Sequence, residues 1–344
     1  MVYLEYYIEK VVHMTILKLI KFLIFFTPIF FSAGFSSETD QLFALNKYIE
    51  DSTGPINEII NQNLIRAVEK ANRKSYSCYK LTKNFAKEVG SGKNSLRDMP
   101  IRKNNSIDQI PRQSSNRETF YEDSIYYGLK RWDIGIGDNR FLSPTLEVNG
   151  VRLGADKISH ITFIGLNYYK TFSFFLRRYK KKYSKDKALR KALEKAINFG
   201  VFQESTFTGK SRFVSGLFSF ADMEANYQGL RLFYNICGSE NPYVRKANGQ
   251  WHIKNKVDIT SYITPELDET YYPNYFRKSF WKKVKRNMLN YCNESSFKAL
   301  AARKKYYSTF KKKSFSYYFL KEKIRKGKLN DPSRFTLENV CSKI

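Results

Sequence analysis

Histidine is almost missing from this chain: His13, His160 and His252 are the three in 344 residues. A zinc site built from several histidines is therefore excluded. Cysteine is nearly as scarce, with four residues and no C-x-x-C pair. That argues against a zinc ribbon and against a thioredoxin-type redox site. Acidic residues are outnumbered, 32 Asp and Glu against 60 Lys and Arg, which gives a net charge of +28. Such an excess implies an anionic neighbour: nucleic acid, anionic lipid or a polyanionic envelope polymer. Lys, Asn, Ile, Phe and Tyr are abundant together, as AT-rich coding would produce, so part of the lysine excess only solvates the surface. No apolar run is long enough for a comfortable membrane span, and no internal repeat is visible. What remains is globular in balance, 42% hydrophobic and 27% charged, and long enough for one large or two ordinary domains.

The amino-terminal "MTILKLIKFLIFFTPIFFSAGFSSETD" selects among the anions. Lys18 and Lys21 precede an apolar run from Phe22 to Phe31, and the small residues Ser32, Ala33, Gly34, Ser36 and Ser37 come after it. This is the three-part pattern of a secretory signal. Residues 1–37 are read as that signal, with Met14 as an alternative start and an uncleaved anchor as the alternative fate. No Cys follows the run, so lipoprotein processing is not expected. Export to the periplasm or cell envelope makes nucleic acid an improbable partner and an anionic membrane surface or envelope polymer the expected one. It also permits disulfides among Cys78, Cys237, Cys292 and Cys341. Three connectivities are open, of which Cys237–Cys292 with Cys78–Cys341 is the expected one.

The pattern predicts a mainly α protein, a helical bundle core with small β hairpins. Residues 38–89 form an N-terminal helical segment, interrupted at "STGP" (52–55), where a helix cap is expected. Residues 90–118, polar and Ser/Asn-rich, read as an exposed loop or linker. Residues 119–276 form the central core. Asn149-Gly150 and Asn248-Gly249 signal hairpins, and helices are expected over 157–179, about 184–204 and 217–237. Residues 277–344 are basic, aromatic helices.

Candidate chemistry sits in the centre. In "GADKISHITFIGLNYY", Asp156, His160 and Asn167 fall on one helical face. In "SFADMEANYQG", Ser219, Asp222, Asn226 and Gly229 do the same, and Gly229 would let two backbones approach closely. Glu204 ends the helix between them and Arg212 follows in a glycine loop. If these helices pack together, carboxylates, a His, an Asn and an Arg could share a pocket. His with carboxylates suits general acid–base work or an oxygen-rich divalent metal site, with His160, Glu204 and Asp222 as ligand candidates and Asp156 beside them. Lys157, Arg212, Ser219 and Asn226 are the ligand-binding candidates. The bland alternative is a hydrogen-bonded network that only joins helices.

The order D-K-x-x-H (Asp156, Lys157, His160), Glu204, Arg212, then S-x-x-D-x-x-x-N-x-x-G (Ser219, Asp222, Asn226, Gly229) resembles VanZ-like proteins. It is also similar to the small exported YfiM-like lipoproteins. The match spans about 75 residues, and Lys170, Arg177 and Arg178 interrupt the first helix where VanZ-like proteins have membrane spans. The resemblance implies a shared helical core and an envelope location, and no defined reaction.

Weaker nominees carry less. Ser215 lacks the order of a nucleophile elbow, "GIGDNR" is no phosphate loop, and Glu266, Asp268 and Glu269 do not have EF-hand spacing. His252, beside Trp251, reads as structural. From Arg277 to Lys328 there are 18 Lys or Arg against Glu294 and Glu322, interleaved with rings such as Phe280, Trp281, Tyr307 and Tyr318. That composition suits a membrane interface or, were the chain not exported, a single-stranded nucleic acid. It also suits amphipathic helices that simply turn their rings inward. The expected function is a non-enzymatic envelope protein that binds anionic headgroups or another anionic envelope component. The alternative is a hydrolase or phosphotransfer enzyme using His160, Glu204 and Asp222.

Overall fold

Two asparagine–glycine turns mark where the chain reverses. At Asn149-Gly150 and Asn248-Gly249 all four residues have positive φ, between 49° and 79°, the conformation a two-residue hairpin of the I′ kind requires. The first joins β1 (Thr145–Val148) to β2 (Val151–Gly154), pairing Leu146 with Leu153 and Val148 with Val151. The second joins β4 (Val244–Ala247) to β5 (Gln250–Ile253). A third two-stranded pair, β3 (Leu217–Phe218) with β6 (Tyr275–Phe276), ties the start of the third central helix to the tail. The computed structural model describes residues 38–92, 95–112, 117–129, 142–205 and 216–342. The expected signal segment and Arg212, with Ser215 and "GIGDNR", lie outside them.

Helices make up most of the rest. They are α1 (Thr53–Arg73), α2 (Cys78–Ser91), α3 (Asp98–Arg102), α4 (Arg117–Glu122), α5 (Ala155–Ser159), α6 (Gly165–Tyr179), α7 (Lys185–Ser205), α8 (Phe220–Cys237), α9 (Lys278–Met288), α10 (Glu294–Tyr307), α11 (Phe315–Arg325) and α12 (Leu337–Cys341). The mainly α class with minor β is as expected. α8 is the central element: Phe220–Leu230 are all buried, and α6, α7 and α2 pack around it. Ile56, Ile60, Leu64 and Val68 of α1 and Leu81, Phe85 and Val89 of α2 close the same core. No helix among the described residues is long and apolar enough to cross a membrane.

Four local expectations need correction. Residues 38–52, read as the start of a helical segment, form turns and isolated bridges, and α1 begins only at Thr53. Residues 90–118 are not an exposed linker: Leu96, Ile101, Ile107 and Ile110 are buried, as are Asp98, Arg102 and Gln109. Their apolar residues are too widely spaced to show a period, yet each packs into the core. α1 is not capped by the Ser52 side chain, because Asp51 Oδ1 instead accepts from the Thr53 amide at 2.8 Å. The cysteines pair as Cys78–Cys237 and Cys292–Cys341, not as Cys237–Cys292 and Cys78–Cys341. The first pair lies on neighbouring helices, α2 starting where α8 ends, and the second clips α12 to the turn after α9.

The basic carboxyl-terminal stretch is helical. Its rings turn largely inward: Phe280 and Tyr307 are buried, and Phe310, Phe315 and Phe319 pack against the core. Tyr306 and Tyr318 remain exposed.

Candidate functional site

The helix carrying D-K-x-x-H begins directly after β2. Gly154, its N-cap, is required there, since a Cβ would lie 2.0 Å from both Asp156 Oδ1 and Thr39 Oγ1. Its absence lets Thr39 Oγ1 donate to Asp156 Oδ1 at 2.6 Å. Asp156 is fixed from the other side as well. Its amide donates to Ser143 Oγ at 3.0 Å, and that hydroxyl donates to Asp98 Oδ1 at 2.7 Å, where Arg102 is bound in turn. A parallel bridge between Thr39 and Ser143 brings the segment from Glu38 to Gln41 alongside.

After Ser159 the helix widens into a π turn, His160–Ile164, before resuming as α6. Such a turn inserts an extra residue and rotates the remainder of the helix about its axis. Asn167 therefore leaves the face it was expected to share with Asp156 and His160, and accepts from Lys170 Nζ at 3.3 Å instead. The turn also allows close contact with α8. The Cα of Gly229 would be 2.8 Å from a Cβ at Gly165, and a Cβ at Gly229 would lie 2.5 Å from the carbonyl oxygen of Ile161. The expected close approach at Gly229 is thus present.

At the contact lies a charge network. Lys157, fully buried, places Nζ 2.5 Å from Asp156 Oδ2, 2.7 Å from Asp222 Oδ1 and 2.7 Å from Glu269 Oε1. His160 Nε2 stands 3.6 Å from Asp222 Oδ2, and its Nδ1 is 3.2 Å from Asn226 Oδ1. Glu38 is buried close enough to feel the charges of Asp222, Lys157, Glu269 and Asp156. Burial alone would push the Lys157 ammonium down, but Asp156, Asp222, Glu269 and Glu38 more than reverse this and hold it well above its usual value. Burial raises Asp222 too, yet His160, Lys157 and Ser219 outweigh it and keep the carboxyl below the ordinary range. Glu269, raised chiefly by burial, sits at about 7. Burial and then Asp222 push Glu38 up strongly. Four carboxylates thus surround one lysine and one histidine.

Of the residues expected here, Asp156, Lys157, His160, Asp222 and Asn226 converge. Ser219 caps α8, accepting from the Asp222 amide at 3.0 Å. Glu204 ends α7 as expected, where its charge adds to burial, the larger cause, in raising the Tyr168 hydroxyl. It is outside the group Asp156, His160 and Asp222, whose potential ligand atoms all lie within 4.8 Å of one another. Lys157 is no free anion-binding cation, because carboxylates enclose it. His252 lies in β5 with its side chain exposed.

Glu38, Thr39, Ser143 and Glu269 were missed. Glu269 came from an acidic run whose members take separate partners: Glu266 meets Lys313 at 2.5 Å, and Asp268 accepts from Tyr307 at 2.8 Å. A fully buried Lys157 needed more anionic charge than its own helix supplies, and that was the available signal. Beside Glu269 is a cavity of about 30 Å³, lined by Asp40, Gln41, Tyr126 and Asn274 among others. Gln41 Nε2 and Asn274 Oδ1 are buried without a hydrogen-bond partner.

No protein-family model, no curated protein and no solved structure matches this chain.

Proposed function

We propose that this is an exported protein of the cell envelope, non-enzymatic, that binds a phosphate-bearing anionic surface, and that its buried network fastens the helices behind that surface. The observation that carries the reading is the tip between α6 and α7. From Arg177 to Lys195 it holds Arg177, Arg178, Lys180, Lys181, Lys182, Lys185, Lys187, Arg190, Lys191 and Lys195 against Asp186 and Glu194, and most of these side chains are exposed. The central Lys157 is enclosed by carboxylates, so anion recognition falls to these outer cations and to those of α9–α11. Because most tail rings are packed inward, attraction is by charge rather than by ring insertion. Two disulfides support an oxidising compartment. The D-K-x-x-H and S-x-x-D-x-x-x-N-x-x-G motifs, similar to those of VanZ-like and YfiM-like proteins, support the envelope assignment.

The test is co-sedimentation with phosphatidylglycerol-containing and purely zwitterionic vesicles. Binding is expected only to the anionic vesicles and is expected to weaken steeply with salt. Each basic side chain near such a surface contributes about 1 kcal/mol. Replacing Lys180, Lys181 and Lys182 by Ala should therefore weaken binding on the order of 100-fold. Soluble polyphosphate, added as competitor, separates a lipid-specific from a general phosphate preference. Equal binding to zwitterionic vesicles, or none to either vesicle and none to polyphosphate, would overturn the proposal.

A second reading, hydrolysis or phosphotransfer at His160 and Asp222, is favoured by one observation. His160 Nε2 is buried with no hydrogen-bond partner.

A further inference from the structure

That same nitrogen leads elsewhere. We infer a binding site for one divalent first-row transition ion, of the zinc or manganese kind, at the edge of the network formed by His160, Asp222 and Asp156. Asn226 Oδ1 can only accept, so the 3.2 Å contact places a proton on Nδ1. The Asn226 side chain also bonds the Tyr168 hydroxyl, which fixes its orientation. Nε2 is then turned towards Asp222 Oδ2 at 3.6 Å, too far for a hydrogen bond. Nε2 without a hydrogen-bond partner, facing a carboxylate oxygen in a buried site, needs positive charge between the two, which a ring proton or a bound metal ion supplies.

The separation suits a metal. Two donors bound at about 2.0–2.1 Å with a tetrahedral angle stand roughly 3.3–3.4 Å apart, close to what is present. Asp156 supplies a third donor within reach. Lys157 occupies Asp156 Oδ2 and Asp222 Oδ1, which leaves Asp222 Oδ2 facing the histidine. One imidazole with two carboxylates favours zinc, manganese or cobalt over calcium, which prefers oxygen alone. The supporting groups are those a metal centre needs: Asn226 orients the imidazole and Thr39 orients Asp156. The Asp222 side chain keeps 11% of its surface accessible, so this edge is reachable.

The experiment uses the full chain stripped with chelator and titrated calorimetrically with Zn2+, alongside 15N spectra of its three histidine rings. The expected result is one equivalent bound and a shift of the His160 Nε2 resonance, with the other two rings unmoved. His160→Gln and Asp222→Asn should each weaken uptake at least 100-fold, and Asn226→Ala, which leaves the donors in place, by about 10–100-fold. Absence of uptake overturns the site, as does uptake that leaves the His160 resonance unmoved. The spectra of the unmutated chain decide the matter even if a variant fails to fold.

Discussion

Lys157 is the residue on which the centre depends. An ammonium with no solvent exposure is tolerable only because Asp156, Asp222 and Glu269 each meet it within 2.7 Å. Replacing it by Met would leave those carboxylates buried and facing one another. Removing one partner of a buried ion pair costs about 3–5 kcal/mol, and Lys157→Met is expected to lose stability of that order in urea unfolding. Lys181→Met, on the exposed tip, should change it by less than about 0.5 kcal/mol. Equal effects would mean that the network does not hold the fold. Asp156 alone could not do the lysine's work in reverse, since the carboxylates come from four separate stretches of chain.

Between elements, Glu224 joins α8 to the tail. Its carboxylate accepts from Gln228 Nε2 at 2.5 Å on its own helix, from Thr264 Oγ1 at 3.3 Å, and from Ser314 Oγ, the N-cap of α11, at 2.7 Å. Arg231 reaches Gln228, while Glu266 faces the group and is itself paired with Lys313. Burial, only partly offset by these hydrogen bonds and reinforced by Glu266, raises Glu224 from 4.5 to about 7. The folded protein therefore holds this proton more tightly than the unfolded chain does. Its contribution is complete below about pH 4.5 and is lost as pH rises towards 7. The interval, at about 1.4 kcal/mol per pH unit, bounds the loss at about 3 kcal/mol. Glu224→Gln should flatten the dependence of unfolding free energy on pH across that window. A profile identical to that of the unmodified chain would show that Glu224 titrates normally.

Over the whole molecule, two disulfides close loops of very different length, with separations of 159 and 49 residues. Cross-linking restricts the unfolded chain more when the loop is longer. Converting Cys78 and Cys237 to Ser is expected to cost about 2–5 kcal/mol, and converting Cys292 and Cys341 about 1 kcal/mol less. Denaturant titrations of the two double variants check the order, and a reversed order would mean that native-state packing, not loop entropy, governs the difference. The longer loop spans the candidate site, so reduction should loosen α2 against α8 beside it. The basic tip of α6 and α7 lies on these same packed helices, which is how a surface charge and a buried network belong to one body.

Sequence alone determined the long central helices and the helical tail, the two Asn-Gly hairpins, the charge excess and half of the central site. Those features are local: periodicity, turn chemistry and motif spacing act over a few residues, and D-K-x-x-H and S-x-x-D-x-x-x-N-x-x-G could be read from a single line. Gly229 announced a close helix contact for the same reason, because a missing side chain is visible without knowing its neighbour. Tertiary structure alone decided the rest. The π turn at His160–Ile164 rotates Asn167 off the expected face, and no local pattern announces it. Glu38, Thr39, Ser143 and Glu269 reach Asp156 and Lys157 from other stretches of the chain, Thr39 from 117 residues away. Disulfide partners likewise depend on which helix ends meet, not on order along the chain. A buried charge specifies that counter-charges must come, but only the packed fold selects which ones.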